Sequence, residues 1–428
     1  MTGAAPSRRR LVAGLVALTA LGIAVRTVHL GDQPVTPDDA DVGQTARNFV
    51  ETGWPEPTMW NHPRLRDALV DASLDALGQG PWGLKAWSVL LGALTVPAAA
   101  WLAFLLTGSG GAAAILGLLL ALDPLHVDFS RQAINDVYLG FFPVAAVAAA
   151  WRYRATRRTG WLVLAGALFG LGLASKWSAL LPLAVTAAVL ARDVARTRGS
   201  ARERSAEVAF AASCLVVLPL AVYLATFLPW FGRGYGLTDW LGFQRSMAVE
   251  TATHVGYAGT KRPGYAGELV GAWRWFVSPA WYVDRTLAAD RGGEGAFLVG
   301  IGNPVTWLVV WPSLAYAGWC AWRRRDAAAA ILAALFLASY LPLVATARPI
   351  WTNTALAVLP FAMALVAFAA ARLGALRPRL VGAWLAAAVL AGALLWFPAT
   401  GIRTAAGDRL AHALVPDDAF APRPGEAP

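Results

Sequence analysis

Long apolar stretches alternate with short polar segments along almost the whole chain. A helix needs about 20 predominantly apolar residues to cross the hydrocarbon core of a bilayer. The pattern therefore predicts an all-α polytopic membrane protein with about 11 transmembrane helices. The predicted spans are 11–25, 84–106, 111–122, 136–151, 161–175, 178–191, 207–230, 300–322, 328–346, 352–371 and 380–400.

Clusters of arginine between the apolar stretches test this topology. Three arginines at 8–10 precede the first stretch and no small-x-small cleavage site follows it, so we expect a retained helix rather than a signal peptide. Loops rich in arginine are retained in the cytoplasm. We therefore expect a multi-pass protein of the plasma (inner) membrane with a cytoplasmic N-terminus. With eleven spans, the other basic clusters lie on the same side, at 152–158, 192–204, 323–325 and 372–379.

The same topology places two long polar segments, 31–83 and 231–299, on the extracytoplasmic side. We expect one transmembrane domain over 1–400, with its active site in these external loops. An external flexible tail is expected over 401–428, which is rich in proline and acidic residues. No internal repeat is visible, which disfavours an inverted-repeat transporter.

Composition excludes several classes of protein. Hydrophobic residues make up 57% of the chain and charged residues only 14%, with a mean hydropathy of +0.51. A soluble domain carries roughly 25% charged residues, so a soluble enzyme, a disordered protein and a nucleic-acid binder are excluded. The net charge of +10 is explained by the cytoplasmic arginines. Neither the five histidines nor Cys214 and Cys320 have the spacing of a metal site.

Polar residues concentrate in three external segments, 36–43, 123–136 and 175–177, which can share one site at the outer surface. The first segment contains Asp38, Asp39 and Asp41. These residues form either a solvated acidic loop with a helix N-cap before an amphipathic stretch at 42–50, or a site with a general base. Paired carboxylates of this kind can also hold a divalent cation such as Mg²⁺ or Mn²⁺.

The other two segments contribute cations. Arg131 either pairs with Asp136 at the interface or offers its planar donor fork to a phosphate. Lys176 interrupts an apolar stretch, where a cation either extends to the headgroups or has a function. Two cations and a carboxylate cluster on one membrane face suggest a reaction on a lipid-linked phosphate.

Together these motifs resemble the protein O-mannosyltransferase family, membrane glycosyltransferases of the GT-C fold. Residues 38–43 stand where the family has Asp-Glu-x-His-Phe/Tyr-Gly, and residues 62–67 where it has His-Pro-Pro-Leu-Gly-Lys. Residues 130–136 match its Ser-Arg-x-x-Met-x-Asp, and residues 172–177 are similar to its Gly-Leu-Ala-x-x-x-Lys-Trp with one residue fewer. Residues 302–307 resemble its Gly-Asn-Pro-Val-x-Trp-Trp.

The sequence departs from the family pattern in the first two motifs. Asp39 replaces a glutamate and Asp41 replaces a histidine. Asp67 stands in the place of the lysine, while Arg64 and Arg66 occupy positions that are usually neutral.

The resemblance implies an inverting, single-displacement transfer of a sugar, usually mannose, from a polyprenyl-phosphate carrier to Ser or Thr hydroxyls of a translocating protein. It implies that Asp38 deprotonates the acceptor, that Asp39 belongs to the same catalytic motif, and that Arg131 and Lys176 bind the donor phosphate. We further expect six residues to support the site, namely Asp41, His62, Arg64, Asp136, Gln244 and Asn303.

Partners and rival functions follow from the same implied reaction. We expect no tightly bound cofactor, an optional Mg²⁺ or Mn²⁺, no nucleic acid, and an association with the secretion translocon. The nearest rival function keeps the fold and the donor type but takes a lipid or polysaccharide acceptor, as aminoarabinose and arabinose transferases do. Two more distant rivals are a transporter or flippase of a lipid-linked sugar and an inactive scaffold.

Overall fold

The computed structural model describes residues 8–33, 35–54, 62–196, 200–253, 272–284, 297–346 and 350–415. Within these residues the chain is mainly helical, with one antiparallel pair of short strands. The first helices are α1 (Arg8–Thr27), α2 (Pro37–Thr52), α3 (Leu65–Leu77), α4 (Pro81–Thr107), α5 (Gly110–Ala121), α6 (Pro124–Phe129), α7 (Asn135–Thr156) and α8 (Thr159–Leu173).

The second half continues the helical pattern after a short 3₁₀ turn at Trp177–Ala179. A π-helical turn at Ser213–Val217 joins α10 to α11, and β1 pairs with β2 from Trp281↔Ile301 to Asp284↔Leu298. The elements are α9 (Leu180–Arg196), α10 (Ala201–Ala212), α11 (Leu218–Ala225), α12 (Leu228–Gly232), α13 (Leu237–Thr253), β1 (Trp281–Asp284), β2 (Leu298–Ile301), α14 (Pro304–Trp307), α15 (Val310–Arg323), α16 (Ala327–Ala345), α17 (Leu359–Gly374), α18 (Pro378–Thr400) and α19 (Ala405–Leu414).

Among the described residues, six helices are long and apolar enough to cross a membrane. They are Arg8–Thr27, Pro81–Thr107, Trp177–Arg196, Ala201–Ala225, Ala327–Ala345 and Pro378–Thr400. The helices α5, α8 and α17 are apolar but shorter. The protein is therefore a multi-pass membrane protein, while the number of about 11 spans stays a prediction.

The predicted span at 300–322 is not one continuous helix. β2 ends at Ile301, α14 covers Pro304–Trp307, and α15 begins at Val310. The side chain of Asn303 accepts a hydrogen bond from the Val305 N–H and caps α14. Asn and Pro side by side favour a turn and a new helix start, so an apolar stretch that hydropathy treats as one span begins with a strand and a turn.

The polar segment 31–83 contains α2 and α3. Thr36 caps α2, because its hydroxyl accepts from the Asp39 N–H while the Asp39 carboxylate accepts from the Thr36 N–H. This reciprocal capping box satisfies two backbone donors at the helix start. The apolar face of α2 packs on α3 and α4 through a small buried cluster that comprises Val42, Ala46, Val70, Leu74, Leu84 and Ala133.

The core lies around α7, which packs against α4 and α8. α4 approaches the segment at 123–136 closely, since a Cβ added at Gly92 would lie 2.3 Å from the Ser130 Oγ. Any larger residue at position 92 would therefore push this polar segment away from α4.

The predicted flexible tail over 401–428 contains a helix. Residues Ala405–Leu414 form α19, and Ala411 and Val415 are buried in a small apolar cluster with Val283, Val299, Ile301 and Leu395. Residues 405–414 mix small apolar and polar side chains, so the sequence does not clearly indicate a helix there. The helix is amphipathic, and its apolar face packs on α18 and the strand pair. The remaining part of the predicted tail, 416–428, lies outside the described residues.

Candidate functional site

Asp38 and Asp39 are adjacent in the first turn of α2 but have different surroundings. Asp38 is exposed, whereas Asp39 is 1% exposed. The Asp39 Oδ2 lies 3.0 Å from the Thr36 N–H nitrogen and 3.0 Å from the Lys85 Nζ, and its Oδ1 accepts from the Ala133 N–H at 2.8 Å. We name Thr36, Asp39, Lys85 and Ala133 the Asp39 cluster. Because Asp39 is committed to these partners, Asp38 is the better candidate for proton transfer.

Lys85 belongs to this cluster, although none of the sequence motifs contains it. It lies near the start of α4, is fully buried, and neutralises the Asp39 carboxylate. The signal in the sequence was a single lysine at the start of an apolar span, a position where a charge needs a partner. Asp41, also predicted for the site, is partly buried on α2.

Arg131 is fully buried between the end of α1 and the start of α7. Its Nη1 donates to the backbone oxygens of Arg26 and Val28, at 2.9 and 2.7 Å. Its Nε and Nη2 have no hydrogen-bond partner within the described part of the chain. Burial lowers the pKa of Arg131 to about 10, so the guanidinium remains charged at neutral pH.

Of the two alternatives for Arg131, pairing with Asp136 is not observed, because Asp136 pairs with Lys176. The Lys176 Nζ lies 2.8 Å from the Asp136 Oδ1, and the two side chains are 25% and 4% exposed. Lys176 follows the end of α8, and Asp136 lies in the first turn of α7. Two residues predicted from separate motifs therefore meet, and the ammonium stays partly accessible.

The second motif forms a buried group of ion pairs. Arg64 and Arg66 both bond Asp67, at 2.7 and 2.9 Å, and all three side chains are at most 2% exposed. Two guanidinium charges and one carboxylate leave one net positive charge. The lysine of the family pattern carries the same net charge.

Arg64 is held by further contacts on both sides. Its guanidinium carbon lies 5.7 Å from the ring centroid of Phe49 and 5.9 Å from that of Phe243, and it donates to the backbone oxygen of His62. Burial lowers the pKa of Arg64 to about 10, although the neighbouring Asp67 opposes this shift. His62 is partly exposed at the edge of this group.

A chain of hydrogen bonds links Trp177, the residue after Lys176, to Gln244 on α13. The indole of Trp177 donates to the hydroxyl of Tyr223 at 3.1 Å, and that hydroxyl lies 2.5 Å from the Gln244 Oε1. The Leu65 N–H donates to the Ala174 oxygen at 3.0 Å and so attaches the start of α3 to the end of α8. Arg64, Lys176 and Gln244 are thereby tied to one region.

The hydrogen bonds of Asn303 connect it to neighbouring elements of the fold. Its side chain caps α14 and donates to the Ala388 oxygen at 2.8 Å, while its N–H lies 3.4 Å from the Asp123 Oδ2. Asp123 also accepts from the Trp307 indole at 2.8 Å and from the His126 N–H at 3.0 Å. Asn303 therefore connects the segment at 123–136 to α18.

The segment at 131–136 connects several of the predicted residues. Its first residue contacts the end of α1, Ala133 holds Asp39 beside Asp38, and Asp136 pairs with Lys176. Within the described residues, no three His, Cys, Asp or Glu side chains come together as metal ligands. The optional divalent cation therefore stays a prediction.

Residues 75–233 match the family model described as dolichyl-phosphate-mannose-protein mannosyltransferase. The polyprenol-phosphate-mannose–protein mannosyltransferase of Mycobacterium tuberculosis is 29% identical over 334 residues, which cover 66% of this chain and 64% of that protein. The chain thus aligns with slightly under two thirds of that relative. The protein of the same name from Corynebacterium glutamicum is 25% identical over 370 residues, covering 73% of this chain and 70% of the relative.

Two solved structures show the fold. The protein O-mannosyltransferase Pmt1-Pmt2 complex of S. cerevisiae, bound to the sugar donor, has a TM-score of 0.67 at 12% identity and covers 94% of this chain and 91% of that chain. ArnT from Cupriavidus metallidurans, bound to undecaprenyl phosphate, has a TM-score of 0.55 at 19% identity. The match covers 83% of this chain and 60% of the ArnT chain. This chain has the GT-C fold, and the predicted resemblance to the protein O-mannosyltransferase family is confirmed.

Proposed function

We propose that this protein is a membrane glycosyltransferase that moves a sugar, mannose, from a polyprenyl-phosphate carrier to Ser or Thr hydroxyls of proteins. The observation that best supports this proposal is that the exposed carboxylate of Asp38 lies next to Asp39, which is bonded to the segment at 131–136. The same segment contains Arg131 and contacts Lys176. A base and two cations beside one segment match the needs of a phosphate leaving group and a hydroxyl nucleophile. The family match and the names of the relatives support the same donor and acceptor.

Each residue has a role in this proposed reaction. Asp38 accepts the proton of the acceptor hydroxyl, and the hydroxyl oxygen forms a bond to the anomeric carbon. The bond from that carbon to the phosphate oxygen breaks on the opposite face, so the configuration inverts. The lipid phosphate leaves with the electron pair. Arg131 and Lys176 stabilise its charge, and Asp136 orients Lys176.

We also propose where the protein lies and how it meets its acceptors. The protein lies in the plasma membrane with a cytoplasmic N-terminus and an extracytoplasmic site, and its acceptors arrive unfolded from the secretion translocon. The arginine clusters between the apolar segments support this orientation.

The first test measures transfer from radiolabelled polyprenyl-phosphate-mannose to a Ser/Thr-rich peptide, with purified protein in nanodiscs. Asp38→Asn is expected to lower the rate a hundredfold or more, because a general base contributes about 10²–10⁴. Its melting temperature should stay within a few degrees of that of the wild type, because an exposed charge at a helix N-terminus contributes at most about 1 kcal/mol. Asp75→Asn, an exposed acid on α3, is the matched control and should retain activity.

The same assay separates the rival functions. Full activity of Asp38→Asn would overturn the base assignment. Transfer to a lipid or polysaccharide but never to peptide would favour an aminoarabinose-transferase-like enzyme. In sealed proteoliposomes, movement of intact donor across the bilayer without hydrolysis would favour a flippase. Adding a chelator to the transfer reaction tests the optional divalent cation.

A further inference from the structure

Asn135 is a buried amide whose hydrogen-bonding capacity is unused. It is the first residue of α7 and is 2% exposed. Neither its Oδ1 nor its Nδ2 has a hydrogen-bond partner within the described residues. Most buried polar side chains in folded proteins are partnered, and an unpartnered group destabilises the fold. An amide with both ends unpartnered therefore requires an explanation.

Its position points to the proposed reaction centre. Ala133, two residues earlier, bonds Asp39 beside Asp38, and Asp136, the next residue, pairs with Lys176. The start of α7 also presents backbone N–H groups that have no partner inside the helix. Asn135 thus lies between the segment's contact to the proposed base and its contact to a proposed phosphate-binding cation.

Arg131, in the same segment, also has unused groups, but of a different kind. Its Nε and Nη2 are buried without a partner among the described residues and can only donate hydrogen bonds. Donors alone suit an anion such as a phosphate. The Asn135 amide offers one acceptor and two donor hydrogens, and this mixture suits neighbouring hydroxyl groups, each of which both donates and accepts.

We propose that the Asn135 amide binds hydroxyl groups of the sugar on the donor and helps to select that sugar, while Arg131 binds the phosphate. This inference rests on the proposed function. The amide is covered in the ligand-free protein, so binding requires a local opening that exposes it. The sugar then satisfies the two ends that the described part of the protein leaves unpartnered.

The test separates sugar binding from phosphate binding with two probes, polyprenyl phosphate and polyprenyl-phosphate-mannose. Their dissociation constants are measured for the full-length protein in nanodiscs. Asn135→Leu removes both ends of the amide at similar volume. It is expected to weaken binding of the mannosylated probe about tenfold or more, as for two lost neutral hydrogen bonds. Binding of polyprenyl phosphate should stay within about twofold.

Three further variants complete the design. Arg131→Ala should weaken both probes, because both carry the phosphate. Trp311→Phe removes another buried donor without a partner in the described chain, on α15, and should change neither affinity. Asn135→Ser restores one hydroxyl and should recover part of the preference for the mannosylated probe. The melting temperature of ligand-free Asn135→Leu should equal or exceed that of the wild type, because the residue it removes makes no side-chain hydrogen bond among the described residues.

A second readout tests selection of the sugar. The wild type should bind polyprenyl-phosphate-mannose better than polyprenyl-phosphate-glucose, and Asn135→Leu should narrow this difference. Unchanged affinity of Asn135→Leu for the mannosylated probe, or equal weakening of both probes, would overturn the sugar contact and leave an amide bonded to water or to protein. If the wild type binds neither probe, the proposed function fails first and the inference fails with it.

Discussion

The Asp39 cluster and the neighbouring Arg131 segment (residues 131–135) solve the burial of polar groups in opposite ways. Both are almost inaccessible to solvent, and they touch at the Ala133 N–H. In the Asp39 cluster an ammonium group and two backbone N–H groups all contact one carboxylate. In the Arg131 segment, two guanidinium nitrogens and both ends of the Asn135 amide have no partner among the described residues.

The difference separates groups that stabilise the ligand-free fold from groups kept for a ligand. A buried charge pair with all its partners resists rearrangement, and removing one member leaves the other uncompensated. A buried donor without a partner destabilises the free protein, and binding of a complementary ligand relieves that cost. The Asp39 cluster therefore fixes the place of the exposed Asp38, while the Arg131 segment is suited to recognise what reacts there.

The largest effect is expected from breaking the Asp39 cluster. Lys85→Met leaves the Asp39 carboxylate buried without its cation, and such a change lowers the free energy of unfolding by about 3–5 kcal/mol. Denaturant unfolding in detergent micelles measures this. The double variant Lys85→Met/Asp39→Asn removes both charges and should recover a large part of the loss. A stable but inactive Lys85→Met would contradict a structural role and place Lys85 in the reaction.

The sequence could predict the fold class and a shared site for the motif residues, but not which side chains pair or which are buried. Hydropathy and the ordered motifs place Asp136 and Lys176 in one site, and the structure pairs them. The burial of individual side chains could not be predicted in the same way. Asp38 and Asp39 read alike in sequence, and only the packing of α2 on α3 and α4 buries the second.

Other features were hidden because their signals are local. Lys85 looked like the flank of an apolar span, and its partner lies 46 residues earlier in the chain. Asn303 is predicted to support the site from its motif, and the motif does not reveal that its side chain caps α14 and bonds Ala388. Long-range pairs of this kind depend on tertiary packing, which neither periodicity nor a motif encodes.

A smaller effect is expected from pH on the segment behind the site. Burial and the nearby Arg26 lower the pKa of His126 well below 6.5. The unfolded chain then binds a proton that the folded protein does not, so stability falls as the pH drops below 6.5, by at most about 1.4 kcal/mol per pH unit.

Burial raises the pKa of Asp123 from 3.8 to about 6. The folded protein then holds a proton that the unfolded chain has lost, so this contribution to stability falls as the pH rises from about 4 to 6.

Unfolding at pH 7 and pH 5 separates the two groups. Acidification should destabilise His126→Gln less than the wild type and Asp123→Asn more than the wild type, because each variant removes one of two opposing contributions. Equal losses in all three proteins would mean that neither group titrates differently in the folded state. The comparison uses the change with pH, so a constant loss from the missing Arg26–His126 contact does not affect it.

The smallest effect is expected at the exposed end of the same helices, where Arg47 bonds both Asp71 and Asp75 at 2.7 Å. Asp75 is 67% exposed, so water and salt screen its interaction. Asp75→Asn should lower the free energy of unfolding by no more than about 1 kcal/mol, and the difference should shrink further in 1 M salt. A loss as large as that of Lys85→Met would show that charge pairing itself, rather than burial, stabilises the packing of α2 on α3 and α4.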